Sequence, residues 1–300
     1  MSSANVAQPG AWQRFWQSKR NQQRLALMGR LLFAAVTLSI TLLPILVTVS
    51  SAFNSTGSLS AASLIPASPT LDNFRTILVE NDFWLWLRNS VFVSSTAAIL
   101  SGLITTLTAY SFSRFRFRIR NHLLLGILIV QVFPSLLAMV ALFSLLQQIG
   151  GYVPFLGLNQ LGGLILLYLG GAIGINVWLM KGFFDSVPGE IDESGMVEGA
   201  THWQIFWRLL FPLVRPIVLV IMILTFFATF GDWLLPRLMI QDSDKYTLML
   251  GLQQFIVNDY GNNWGVFAAG VVLGAIPQVA IFVILQEYIV GGLTAGAVKG

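Results

Sequence analysis

"LLLGILIVQVFPSLLAMVALFSLLQQIGGYVPFLGLNQLGGLILLYLGGAIGINVWLM", residues 123–180, contains no Asp, Glu, Lys or Arg. A helix crossing the hydrocarbon core needs roughly 20 apolar residues, so this stretch holds two crossings. The turn-rich "QQIGGYVPFLGLNQLGG" separates them and places helices near 123–146 and 161–182. Outward from there, charge-free runs follow Arg30 (31–53) and Arg88 (89–112), and two more lie near 214–236 and 264–289. Six crossings put both termini on one side of the membrane, and the expected fold is an all-α integral membrane protein.

Composition agrees. Of the 300 residues 55% are hydrophobic and 10% charged, with a mean hydropathy of +0.74, whereas soluble domains carry about 25% charged residues. Cysteine is absent, which removes disulfides, thiolate nucleophiles and Cys-ligated metals together. With His122 and His202 as the whole imidazole supply, no His-built metal site is expected. No soluble domain is large enough to stand alone. The chain divides into a polar segment 1–30, a membrane domain 31–290 and a tail 291–300.

Charge orients the bundle. With the N-terminus in the cytoplasm, thirteen of the seventeen Lys and Arg fall on inner segments, including "RFRFRIR" at 114–120. That bias satisfies the positive-inside rule. It leaves outer segments at 54–88, 147–160 and 237–263, and gives the 114–120 run a topogenic role. Pro44, Pro134 and Pro277 sit inside apolar runs, where each favours a kink. Gly170-x-x-x-Gly174 and Gly270-x-x-x-Gly274 offer close helix approach.

Intramembrane chemistry is nearly absent. Asp232 and Glu287 lie near the ends of spans five and six, where both reach the interface. No relay of carboxylates crosses the bilayer, which argues against proton-coupled transport. Protease signatures and the phosphate-binding GxxxxGK[ST] loop are also missing, so this chain does not bind ATP by that route, and a partner supplies the energy for any energetic work.

The inner loop 184–213, "FDSVPGEIDESGMVEGATHWQIFWRLLFP" over 184–212, has its own logic. Pro188 and the acids Glu190, Asp192 and Glu193 suit a helix N-terminus. Small residues Ser194, Gly195 and Gly199 let another surface approach that helix, and Gly199 interrupts it. Thr201 and Gln204 form a capping-box pair that starts a second short helix. That helix carries the apolar stripe Ile205, Phe206, Leu209 and Leu210, and Pro212 and Pro216 end it. The product is a helix–turn–helix elbow, readable either as interfacial packing or as a docking helix for a cytoplasmic partner.

Glu193-Ser194-Gly195, then Gly199, then Leu209, Phe211 and Pro212 match the EAA motif of bacterial ABC importer permeases, with Ser and Gly in place of the two alanines. "QVFPSLLAMVALFSLL", "YVPFLGLNQLGGLILLYLGG", "YTLMLGLQQF" and the tail "GGLTAGAVKG" resemble the maltose/maltodextrin, MalG-like branch of that family. The resemblance implies a type I importer permease with six spans. Its implied partners are a MalF-like permease, a pair of MalK-like ATPases holding ATP and Mg, and an extracytoplasmic sugar-binding protein, with surrounding lipid and no nucleic acid. This chain would carry no cofactor and perform no catalysis. Glu193, Ser194, Gly195, Gly199, Leu209 and Pro212 would meet the ATPase. Thr294, Ala295, Gly296 and Lys299 of the tail would reach into the ATPase dimer. Asn258, Asp259, Tyr260, Asn262, Asn263 and Trp264 of the outer loop would face the binding protein and its sugar. A permease for another sugar, such as trehalose or a polyol, and a membrane scaffold that only holds partners remain alternatives.

Overall fold

In lipid an apolar segment satisfies its own backbone only as a helix, and helices account for nearly every regular element of this chain. The computed structural model describes residues 19–55, 64–66, 68–257 and 262–297. In chain order the helices are α1 (Lys19–Ala52), α2 (Asp72–Val79), α3 (Phe83–Arg114), α4 (Arg120–Val132), α5 (Ser135–Tyr152), α6 (Leu161–Ser186), α7 (Glu190–Val197), α8 (His202–Phe230), α9 (Leu234–Met239), α10 (Leu248–Gln253) and α11 (Trp264–Ala297). Five of them are long and apolar enough to cross a membrane, and α4 with α5 make a sixth crossing if the bent pair counts as one span.

The bend is where sequence reading and structure part. A kink was expected at Pro134, but the chain breaks there and the two halves meet at 110°. Proline restricts the residue before it to extended backbone, and Phe133 takes φ −69°, ψ 128°. The helix therefore stops at Val132. Pro44 and Pro277 stay inside continuous helices.

Helix α3 occupies the centre of the bundle, packed against α6 and α8, with α11 beyond α8 and α1 on the outside of α11. Its buried face is built from small residues, among them Ser94, Ala97, Ser101, Gly102 and Thr105. Small side chains permit the close approach that drives helix association in lipid. A β-carbon on Gly102 would lie 2.6 Å from Met222 Cγ of α8. Gly270 and Gly274 serve a different contact from the expected crossing of two spans: they receive the side chains of Leu252 and Leu248 from the short helix α10.

The end of the bundle away from α7 is closed by short helices and tied by side-chain amides. Asn73 Nδ2 donates to the carbonyls of Ala52 (3.0 Å) and Asn54 (2.8 Å). Asn89 Nδ2 donates to those of Asp244 and Tyr246, both at 3.0 Å. Asn159 takes a left-handed φ of 58° and accepts from the amides of Gln241 (2.9 Å) and Asp242 (3.0 Å). The Ser90 hydroxyl accepts from the Leu248 amide at 2.7 Å. Asp232 lies past the end of α8, which stops at Phe230 rather than near 236, and accepts from Tyr168 Oη and the Leu234 amide, both at 2.9 Å. The side chain of Glu287 lies outside the described residues.

Candidate functional site: an elbow between two spans

The loop between α6 and α8 folds as the expected elbow, and each half of its turn has an identifiable cause. Helix α7 begins with Glu190, Asp192 and Glu193 in its first turn, where negative charge complements the helix dipole. It ends in a Schellman motif: the Ala200 amide donates to Gly195 O (2.9 Å) and the Gly199 amide to Met196 O (3.0 Å). Gly199 occupies the left-handed position that motif demands, with φ +80°. The next helix opens at once with the full capping box. Gln204 N donates to Thr201 Oγ1 at 3.3 Å, and Thr201 N donates to Gln204 Oε1 at 2.8 Å.

From His202 the chain then runs without interruption to Phe230. Pro212 and Pro216 were expected to end the second short helix. Instead Ile205–Leu210 form a π-helical turn, and Pro212 sits in the first turn of the α-helix that follows. A proline ring collides with the carbonyl four residues earlier, here that of Arg208, and a wider turn at that place accommodates it. The elbow is thereby continuous with span five, so a displacement of α7 acts directly on a transmembrane helix.

Beneath the elbow lies an aromatic core. Ile205, Phe206 and Leu210 are fully buried, together with Tyr110 of α3 and Phe184 of α6. The Phe206 ring lies 5.0 Å from Tyr110 and 4.9 Å from Trp207. Tyr110 Oη also donates to His202 O at 3.4 Å.

One side chain locks this arrangement. Arg114, the last residue of α3, donates from Nε to Asp192 Oδ2 (2.9 Å), from Nη1 to Phe184 O (3.0 Å) and from Nη2 to Val187 O (3.0 Å). The planar guanidinium offers five fixed donors, and three of them join α3, the end of α6 and the first turn of α7. The pair is largely shielded, its side chains 15% and 13% exposed. Sequence reading placed Arg114 in a topogenic run and missed this role. The only signal available was a basic residue at a helix end facing a loop with three acids.

The predicted coupling residues fall on two sides. Glu193 and Ser194 are exposed, with Met196, Val197 and Glu198 beside them; Val197 is 89% exposed. Gly195 points inward: a β-carbon there would lie 2.9 Å from Ile205 Cγ1 and 3.0 Å from Leu209 Cδ1. Its smallness serves packing within the elbow, not the approach of a partner. Leu209 covers Gly195 while staying half-exposed.

The other predicted sites are less assembled. Asn258, Asp259 and Tyr260 lie outside the described residues. Asn262 is exposed. Asn263 caps α11, its Oδ1 accepting from the Val266 amide at 3.1 Å, and Trp264 is the first residue of that helix, 5.9 Å from Phe267. Thr294, Ala295 and Gly296 extend α11 beyond the expected limit at 290, whereas Lys299 lies outside the described residues. Among the described residues no three His, Asp or Glu side chains gather as a metal site.

Comparison with known proteins agrees with this architecture. The chain is 41% identical over 278 residues to the maltose/maltodextrin transport system permease protein MalG of Vibrio parahaemolyticus, covering 88% of this chain and 92% of that one. It is 38% identical to the MalG protein of Escherichia coli (95% and 99% covered) and 38% identical to the maltodextrin transport system permease protein MdxG of Bacillus subtilis (90% and 95%). A bacterial ABC transporter involved in import of the acidic polysaccharide alginate shares the fold, with a TM-score of 0.75, 20% identity, and 90% of this chain and 98% of that one covered. Residues 90–294 match the inner-membrane components of binding-protein-dependent transport systems. The chain belongs to that family, as a multi-pass permease subunit of the bacterial inner membrane.

Proposed function

We propose that this chain is the MalG-like subunit of an ATP-driven maltose/maltodextrin importer, paired with a MalF-like permease, served by an extracytoplasmic sugar-binding protein and driven by two MalK-like ATPases. The observation that carries the mechanism is the elbow's geometry. The exposed Glu193, Ser194 and Val197 stand on a helix bolted to α3 and α6 and joined by the tight Gly199 turn to the helix that runs on as span five. A partner that seats on this face and moves pushes a rigid element, which is how a bistable membrane bundle is switched. The sugar class rests on the similarity to the maltodextrin permeases.

In this reading the elbow end and both termini face the cytoplasm, ATP and Mg stay on the ATPases, and the chain forms half of the pathway. The test is uptake of labelled maltose and maltodextrins by vesicles holding the whole importer, with Glu193→Ala and Val197→Asp in this subunit. Both variants insert normally, and Val197→Asp abolishes sugar-stimulated ATP hydrolysis and uptake together. Unchanged uptake would contradict the assignment of α7 as the coupling helix. Preference for trehalose or a polyol would redirect the substrate while leaving the mechanism intact.

A further inference from the structure

The segment Phe115–Asn121 between α3 and α4 carries three arginines that the elbow does not use. Its apolar residues fix the loop: Phe115 lies 5.6 Å from Tyr110 and 5.3 Å from His202, and Phe117 lies 5.7 Å from Phe112. Its polar residues line a cavity of about 450 Å³, formed by Arg116, Arg118, Arg120 and Asn121 with Phe117. Among the described residues none of these three arginines has a carboxylate within salt-bridge distance. Arg120 Nε is buried with no hydrogen-bond partner. Asp185 is near enough to feel Arg120, but its oxygens accept from Lys181 (2.5 Å) and Ser113 (2.6 Å).

The start of α4 adds donors. Its first turn holds no acid and no side-chain cap. The Arg120 and Leu123 amides bond to Phe117 and Ile119, whereas those of Asn121 and His122 have no protein acceptor among the described residues. Free amides at a helix N-terminus favour an anion, and three unpaired guanidiniums repel one another until one arrives.

We propose that this cavity binds the phosphate of an anionic phospholipid in the leaflet at the elbow end. A lipid suits it better than a soluble anion because the same loop sits where two spans leave the bilayer. Phe115, Phe117 and Ile119 are 38%, 38% and 56% exposed there, with Leu123 and Leu125 exposed on the helix that follows. Clusters of arginine immediately beyond the end of a span recognise anionic headgroups.

The test titrates phosphatidylglycerol into the assembled importer in detergent, read by native mass spectrometry. Arg116→Gln/Arg118→Gln is compared with Arg24→Gln/Arg30→Gln, which removes equal charge from α1. Wild type and the α1 variant bind alike, and the loop variant binds about 30-fold more weakly, equivalent to about 1 kcal/mol per arginine. Arg116→Lys/Arg118→Lys keeps the charge and retains binding within about threefold, which separates headgroup recognition from misfolding. Equal binding in both Gln variants overturns the proposal. So does displacement of the lipid by an equal concentration of inorganic phosphate, which marks a soluble-anion site. A photo-crosslinker at position 118 that captures another subunit and not lipid also overturns it.

Discussion

The two ends of this bundle are fastened by different chemistry. Away from the elbow, Asn73, Asn89 and Asn159 tie loops down through neutral amide bonds to backbone, and Leu248 and Leu252 seat on glycines of α11. At the elbow end, one charged fork on Arg114 holds three elements from behind and leaves the far face of α7 open. Many short neutral ties make a cap whose parts fail one at a time. A shielded guanidinium, backed by the contacts of Asp185 with Ser113 and Lys181, makes a lever whose parts move together. The contrast explains how a helix of eight residues, too short to be stable alone, can present a fixed surface to a partner.

Substitutions can break or sharpen that contrast. Arg114→Ala has the largest expected effect, because it leaves Asp192 unpaired, the Val187 carbonyl without a donor and the Phe184 carbonyl with only the Val187 amide. The cost is about 3 kcal/mol, the low end of the range for breaking a buried pair since this one is partly wetted. It is read as a lower melting temperature of the purified subunit and faster amide exchange across 184–205. Asn89→Ala removes two bonds to the far loop and costs about 2 kcal/mol, with exchange rising only around 242–248. If Asn89→Ala loosens the elbow as well, or Arg114→Ala stays local, the distinction between cap and lever fails. Thr201→Ala deletes the cap of the second elbow helix for about 1 kcal/mol, visible as fraying at 201–204 with packing below unchanged.

The smallest effect concerns pH. The hydrogen bond from Lys245, helped by Asn159, holds the Asp242 carboxyl below its ordinary value of 3.8. A depressed folded value means the stabilisation is present above 3.8 and is lost as pH falls through the folded value. Amide exchange near 242 should therefore rise only in strong acid, and Lys245→Ala should move that rise to higher pH.

Much of this arrangement was legible in the residues. Long charge-free runs mark the spans because lipid leaves them no other structure, and Thr201 with Gln204 marks a helix start through local geometry alone. What escaped depends on distance or on neighbours. The partner of Arg114 at Asp192 is 78 residues away, and nothing in a basic run says which arginine turns inward. Gly195 read as a small residue open to a partner, yet it is buried against Ile205, whereas Gly199, read as the interruption of the helix, does supply the turn. Pro134 read as a kink and Pro216 as a helix end, yet the first breaks its helix and the second does not, because α8 had already widened into a π turn before its prolines. Asn263, read as facing the binding protein and its sugar, also caps α11 through its Oδ1, which the loop composition did not show.

The central claim is that the exposed face of α7 is where the motor seats. The chain has no cysteine, so Val197→Cys gives this subunit a single thiol. A short bifunctional reagent on it, in the assembled importer, should join the ATPase with a yield that changes between nucleotide-free and ATP-bound states, while Ser243→Cys at the opposite end should not. Absence of any link from position 197 to the ATPase in either state would contradict the account.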